Sequence, residues 1–489
     1  MPYVQFINIG NHRLLSSPPS SILSWQQNHS GGKDDTHWEV FITQLLLGVG
    51  VCNTMLIQDT NKNDTKSTYA ACFRSQSQNS EPTTPDCVKA FIMYAQDLAK
   101  IFNFKEEEIN YLWSLERETQ SMFYNHHRRK RQAVFLPVRK ECRLLSQYER
   151  QNLFYAIRSL KMDTSNPNEY DTLANLHRGD SFQPHAHDGS NFLGWHRVYL
   201  MYYERALRRR RAGVTLCFWD TTMEFNLGME NWAETAVFSS DFFGNRREIV
   251  TTGPFRDWPL PPGLDFPFLT RNLSIQGGMP FDSRAAYSIF YNPNTIIHST
   301  VTVEGFGFDT ITNRLGETRD VTIEGEHNNV HNWVGGVMGL LDPAPQDPIF
   351  FFHHCYIDYA WERFREKMKR YGRDPTTDYP GHGVEADLHD ANYPMIGFEW
   401  YRNIDGYSDF FTQNVYRYES PTCQACYNSP YTVCGPENQC IARMNYPGME
   451  IDQGPPSQSA PYVALSAQAG ATAFASSSGR RFVATSNSE

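Results

Sequence analysis

The chain has 489 residues, with 44 Lys and Arg against 54 Asp and Glu, and a formal net charge of −10. That acidic balance excludes a sequence-independent nucleic-acid binder, and 40 % apolar with 14 % aromatic residues excludes a chain without a core. The longest apolar run, Val40 to Val51, contains Thr43 and Gln44 and is roughly half the length of a membrane-spanning helix, so no transmembrane segment is expected.

In chain order, residues 1 to about 85 are polar and turn-rich, with Pro18-Pro19 and Gly31-Gly32. From Asp86 to Tyr124 the spacing of Val88, Phe91, Ile92, Ala95 and Leu98, then Ile109, Leu112 and Leu115, predicts helix. Arg128 to Arg131 form a basic run that reads either as a proprotein-convertase site, cut before Gln132, or as a solvated patch at a helix end. Residues 1–131 are therefore expected to be an N-terminal extension or propeptide with a helical part at 86–124. A new unit, 132–420, opens with the amphipathic spacing of Leu144, Leu145, Tyr148, Leu153, Ala156, Ile157 and Leu160. Within it, Val214 to Phe218 and Ser299 to Val303 read as short strands between Pro- and Gly-rich loops. Residues 421–451 are rich in Cys, and 452–489 collapse to Ser, Ala, Gly and Gln, the composition of a disordered tail.

Four of the ten Cys (Cys423, Cys426, Cys434 and Cys440) crowd into the late segment. It holds no His, and the Cys434–Cys440 spacing is too wide for a zinc knuckle, so disulfides are expected there. Cys52, Cys72, Cys87 and Cys142 form a looser early set, and whether Cys217 and Cys355 are free thiols is open. Asn28, Asn63 and Asn272 open glycosylation sequons, which with the basic run favours an extracellular protein. The first thirty residues lack a signal-peptide pattern. Val40 to Val51 is an alternative signal core with a poor upstream flank (Lys33, Asp34, Asp35, Glu39).

The chemistry is concentrated in the histidines. His177, His185, His187 and His196 fall in one short stretch, and His327, His331, His353 and His354 in another. His327 and His331 are i and i+4, so on a helix both rings leave one face about 6 Å apart, a chelating spacing. No Glu stands between them as in a zinc protease. Asp347-Pro348 opens a further helix with His354 in its first turns. The segment from Phe192 carries Phe192, Trp195, Tyr199 and Tyr203 as a buried stripe and turns His196 inward. Two sets of three imidazoles suit zinc, for hydrolysis, or copper, for dioxygen chemistry, and spacing does not choose between them.

FLGWHRVYL, HNNVHNWVGG and DPIFFFHHCYIDYAWERF resemble the two copper motifs of the tyrosinase family of binuclear type 3 copper proteins. VRKECRLLSQYERQNLFYAIRSLK resembles the opening helix of molluscan and nematode members. The likeness covers about residues 138–420. It implies a mainly α domain in which a central four-helix bundle holds the metal pair, with few short strands and long loops. It also implies two copper ions, with His177, His187 and His196 on the first and His327, His331 and His354 on the second. The helical neighbours Tyr170, Leu173 and Ala174 favour His177 over His185. His353, Phe350, Asp358 and Leu341 match supporting positions. Phe350 would pack on a ligand ring, Asp358 would orient a ring or else cap or salt-bridge a helix, and Leu341 would influence substrate entry. Asn328 matches the Asn that helps hold a water for phenol deprotonation. The Glu sharing that water has no match at the expected offset among Glu317, Glu324 and Glu326. His185 stands where many members have a Cys, so the Cys–His thioether is excluded, and the β-sandwich shielding domain has no counterpart. The implied activity is phenol oxidation with dioxygen as co-substrate. Phenolic small molecules or protein tyrosyl side chains would go to o-quinones, for pigment or matrix crosslinking. Rival readings are a catechol oxidase without monophenol hydroxylation, a haemocyanin-like oxygen binder, and an inactive matrix protein.

Overall fold

A computed structural model describes residues 104–128, 136–163, 168–179, 183–291, 309–312, 318–379, 388–398, 401–436 and 438–444. They belong to a compact unit that begins at Phe104. The helical expectation for 86–103, the basic residues 129–131, the Ser299–Val303 strand and the 452–489 tail lie outside the described residues, as do Asn28, Asn63, Cys52, Cys72, Cys87 and Glu317.

The unit is mainly helical. Helix α1 (Glu106–Arg128) carries three acidic residues in its first turn, where the helix dipole favours negative charge. Its Glu118 pairs with Arg205 and Arg209 at 3.1 and 2.9 Å. Helix α2 (Gln147–Lys161) follows the predicted amphipathic pattern and starts at a capping box between Ser146 and Glu149. Its face of Leu153, Phe154, Ala156, Ile157 and Leu160 is buried. Helix α3 (Glu169–Asn175) is capped by Asn168, whose side chain accepts the Asp171 N–H at 3.1 Å. A single turn, α4 (Gln183–Ala186), leads into α5 (Asn191–Arg210), which is buried over almost its whole length. Then come α6 (Thr222–Phe225), α7 (Ser283–Tyr291), α8 (Ile323–Val334), α9 (Ile349–Arg370) and α10 (Cys423–Asn428).

Helix α5 packs against α2 on one side and α9 on the other, and α9 packs against α7 and α8. The ion pairs between α5 and α9 are fully buried. Arg197 donates through Nε to Asp358 at 2.7 Å and through Nη2 to Glu362. Arg139 pairs with Glu204 on α5 and stands 3.5 Å from Asp358. The Tyr416 and Tyr418 hydroxyls both donate to Asp358 Oδ2 at 2.6 Å. Each carboxylate oxygen is thus satisfied, without which two buried charges would be destabilising.

Strands among the described residues are short and come as four two-stranded pairs. Val214 to Phe218, expected as a strand, makes only an isolated bridge between Glu141 and Phe218. The N–H of Leu216 goes instead to the Glu204 carboxylate at 3.2 Å, and Cys217 is tied to Cys142 by a disulfide. A side chain and a covalent bond thus take the place of a ladder. The late cluster forms disulfides, as expected, pairing Cys423 with Cys434 and Cys426 with Cys440. Cys426 and Cys440 pack on Met223 and Ala442. Cys355 is a free, buried thiol that burial pushes up to about 12.

Candidate metal centre

Four helices and one loop bring seven imidazoles to one place. His177 follows the end of α3, fixed there because the Tyr199 hydroxyl on α5 donates to the Leu173 carbonyl at 2.8 Å. His187 sits on the loop after α4, and His196 on the second turn of α5. His327 and His331 share one face of α8, and His353 and His354 lie in the opening turns of α9. All are buried. His185 is not with them, since its ring stacks against Tyr393 at 5.9 Å.

Helix α9 begins where Asp347 does two jobs. Its Oδ1 accepts the Ile349 N–H at 3.0 Å, and both its oxygens grip Arg271 at 2.7 and 2.9 Å. Helix α8 starts at Thr322, which caps the Gly325 N–H at 2.9 Å. It ends at Gly335 and Gly336, both at positive φ (63° and 58°). A Cβ at Gly336 would lie 2.2 Å from the Thr270 carbonyl, so only glycine turns the chain here. That turn folds the Met338 carbonyl back onto His331, whose Nδ1–H donates to it at 2.8 Å.

In the first triad, His177 and His187 face each other through Nε2 atoms 3.2 Å apart. The His196 ring lies 5.5 and 5.1 Å from theirs. Its Nδ1–H donates to the Phe192 carbonyl at 2.9 Å, which leaves Nε2 as a buried lone pair without a hydrogen-bond partner. In the second set, the His327 Nδ1–H donates to Asn328 Oδ1 at 2.9 Å, which turns the Nε2 lone pair toward the other rings of the set.

Two triples can be drawn around His327 and His331. Ligand-type atoms of His327, His331 and His353 all lie within 4.8 Å of one another. The His353 Nε2–H, however, donates to the His327 carbonyl at 3.2 Å, and its ring stacks on that of His327 at 5.1 Å. His354 Nε2 instead stands 3.0 Å from His327 Nε2 and 3.3 Å from His331 Nε2. Three converging Nε2 atoms, two with their other nitrogen already donating, repel one another unless a proton or cation lies between them. Nε2 convergence, rather than proximity of any ring nitrogen, therefore selects His354.

The two triads meet at His196 and His354, whose rings stack at 4.2 Å and 15°. Phe350 closes one side, 4.1 Å from the His354 ring and 5.0 Å from His177. Phe192 lies 4.9 Å from both His196 and His327. The sequence marked Phe192 only as part of a buried stripe, although its place one turn before His196 repeats that of Phe350 before His354. Burial, the largest cause, pushes every one of these rings below the ordinary imidazole value, His187 to about 3. The shift is larger for His177, His196, His327, His331 and His354, where neighbouring rings add to it. The rings are therefore neutral at physiological pH, the form that binds metal.

The supporting positions sort differently. Phe350 packs on a triad ring. Asp358 touches no imidazole and joins α5 to α9, the second of its two expected roles. The Leu341 carbonyl acts on the His177 ring. Glu324, buried on α8, reaches across to the first triad's loop, where its Oε1 accepts the Asp188 N–H at 2.7 Å. Burial, then the neighbouring Asp188, holds this carboxyl well above its usual range. Glu326 accepts the Asp282 N–H at 3.1 Å.

Comparison with known proteins decides the family. The model of the common central domain of tyrosinase matches residues 167–367. A tyrosinase-like protein of Pinctada maxima is 77% identical over 452 residues, 92% of this chain and 98% of that one. The chain belongs to the tyrosinase family. Tyrosinase-like protein 1 of Margaritifera margaritifera is 37% identical over 416 residues, 83% of this chain and 80% of its own. Among solved structures, a functional unit of octopus hemocyanin covers 58% of this chain and 68% of its own at 20% identity and a TM-score of 0.40. Tyrosinase membership implies a binuclear copper centre and phenolic substrates, and the two triads fit such a pair, with buried, convergent imidazole nitrogens and, among the described residues, no competing thiolate.

Proposed function

We propose that the chain is a copper-dependent phenol oxidase that hydroxylates monophenols and oxidises o-diphenols to o-quinones. His177, His187 and His196 hold the first copper, and His327, His331 and His354 the second. The observation that carries this is the face-to-face approach of the two triads through His196 and His354. The copper pair, when bound, supplies dioxygen binding and the redox capacity for oxidising a phenol.

The chain's own residues do the rest. The Phe192 and Met338 carbonyls and the Asn328 amide fix the tautomers of His196, His331 and His327, so each presents a lone pair through Nε2. Phe192 and Phe350 keep the space between the triads apolar and exclude water from it. Asn328 is half-buried beside the second triad, and this side chain, already bonded to His327, holds the water that receives the phenol proton. Small phenols are the substrates, and the quinones feed pigment or matrix crosslinking. Three disulfides among the described residues support an oxidising, extracellular setting, and no described helix is long and apolar enough to cross a membrane.

The test is oxygen uptake by the copper-loaded full chain, with L-tyrosine and L-DOPA supplied separately. Uptake with both is expected. Uptake with the diphenol alone makes the protein a catechol oxidase, and two bound coppers without uptake make it an oxygen binder.

A further inference from the structure

Helix α5 begins without a cap of its own. Ser190 at its N-cap makes no side-chain hydrogen bond to the first turn, yet the first N–H groups of a helix require acceptors when buried. The acceptor comes from far along the chain. His389, fully buried, accepts the Asn191 N–H through Nδ1 at 3.2 Å. Its ring lies directly on Gly189, where a Cβ would stand 2.4 Å from three ring atoms. The carbonyls of Pro184 and His187 act on the same ring. One imidazole thus touches the loop before His187, at His187 and just after it.

His389 is itself held. Asn403, buried, donates from Nδ2 to the carbonyls on both sides of it, Leu388 and Asp390, at 2.9 Å each. The strap that carries both residues is fastened to α5 at three further points. Trp195 Nε1–H donates to the Ile396 carbonyl at 2.8 Å, and the Tyr407 hydroxyl donates to the Ser190 carbonyl at 2.7 Å. Gly406 approaches Gly194 so closely that a Cβ on it would lie 2.5 Å from the Gly194 Cα.

We infer that His389 is a positioning residue for the first copper site: its ring caps α5 and pins the Pro184–Asn191 loop, which sets where His187 points. The inference rests on the reading of the triads as copper ligands. His187 follows the single turn α4, its N–H bonded to the Gln183 carbonyl at 3.0 Å, and so short a helix needs the remote ring of His389 to hold the loop that continues from it. The Asn191 N–H points at Nδ1, which fixes the tautomer with the lone pair on that nitrogen.

The experiment measures copper content and timed copper release to a chelator in the full chain. His389→Phe keeps ring volume against Gly189 but removes the acceptor. His389→Asn restores an acceptor atom near the Nδ1 position. Gly189→Ala pushes the ring away by contact while leaving residue 389 a histidine. Wild-type protein is expected to hold two coppers. In His389→Phe and Gly189→Ala one of the two should leave about tenfold faster or more, the range seen when groups that orient metal ligands are removed. The other should be unchanged, and His389→Asn should recover most of the wild-type rate. In the His331→Ala background, where only the first site keeps its ion, His389→Phe should accelerate release of that remaining copper. Release of both ions at wild-type rates, or equal acceleration of both, overturns the proposal. If His389→Phe does not fold, Gly189→Ala decides by the same criterion. Wild-type chain that binds no copper overturns the copper reading itself.

Discussion

The two histidine triads are built in different ways. The second takes its members from two neighbouring helices, with His327 and His331 one turn apart on α8 and His354 on α9. Its tautomers are fixed by atoms close in sequence, namely Asn328 beside His327 and the Met338 carbonyl seven residues after His331. The first triad draws on a helix end, a loop and a helix, and the loop is held by groups roughly 140 and 200 residues away, Glu324 and His389. A locally encoded centre needs only its helices to form. A centre assembled from a loop needs the whole unit folded around it.

The largest expected effect comes from the local centre. His331→Ala removes a lone pair that no neighbour replaces, so the second copper is lost and oxygen uptake with L-DOPA falls by more than about a hundredfold, since groups that merely orient ligands already cost 10–100-fold. Full activity with one copper per chain breaks the binuclear reading. The joint between the two centres comes next. Asp358→Ala leaves Arg197 and Arg139 buried with one carboxylate each, Glu362 and Glu204, and the Tyr416 and Tyr418 hydroxyls without their acceptor, and should cost about 3 kcal/mol in denaturant unfolding. A loss under about 1 kcal/mol would show that α5 and α9 do not depend on this pair.

Acid sharpens the comparison in the metal-free protein. His389 and His353 are held at about 4 and about 3, below the ordinary 6.5. Each is neutral when folded and takes up a proton when unfolded, so its contribution to stability is full above about pH 6.5. That contribution is lost as pH falls toward the folded-state values, by up to about 1.4 kcal/mol per pH unit for each ring. Urea midpoints of apo protein should drop between pH 6.5 and 4, and His389→Asn should flatten part of the drop. The smallest effect lies outside both centres. Ser146→Ala removes the α2 cap and should cost about 1 kcal/mol with copper content unchanged.

Much of the second centre was legible in the chain itself. The i, i+4 pair and the Asp-Pro start of α9 are local signals, and the helices stand where they predict. Asp358 was legible only as two alternatives, because whether a carboxylate faces a ring or an Arg on another helix depends on how the helices cross. Val214 to Phe218 misled because its alternation satisfies strand propensity, whereas its hydrogen bonds are claimed by Glu204 and its position by the Cys142–Cys217 bridge. Glu324 and His389 carry no motif at all. Their partners are backbone N–H groups, which every residue has and no sequence pattern marks.

By itself the sequence determined the helical periods, the residue types able to bind copper and the ends of the helices, since these follow from side-chain chemistry over a few residues. The resemblance had already set His354 apart from His353; only the tertiary structure decided how His354 aims Nε2 at His327 and His331, and which distant side chains hold the His187 loop. Those outcomes depend on directions and distances between elements that meet only once α5 and α9 are locked by Arg197, Asp358 and Glu362 and the strap around His389 closes over them.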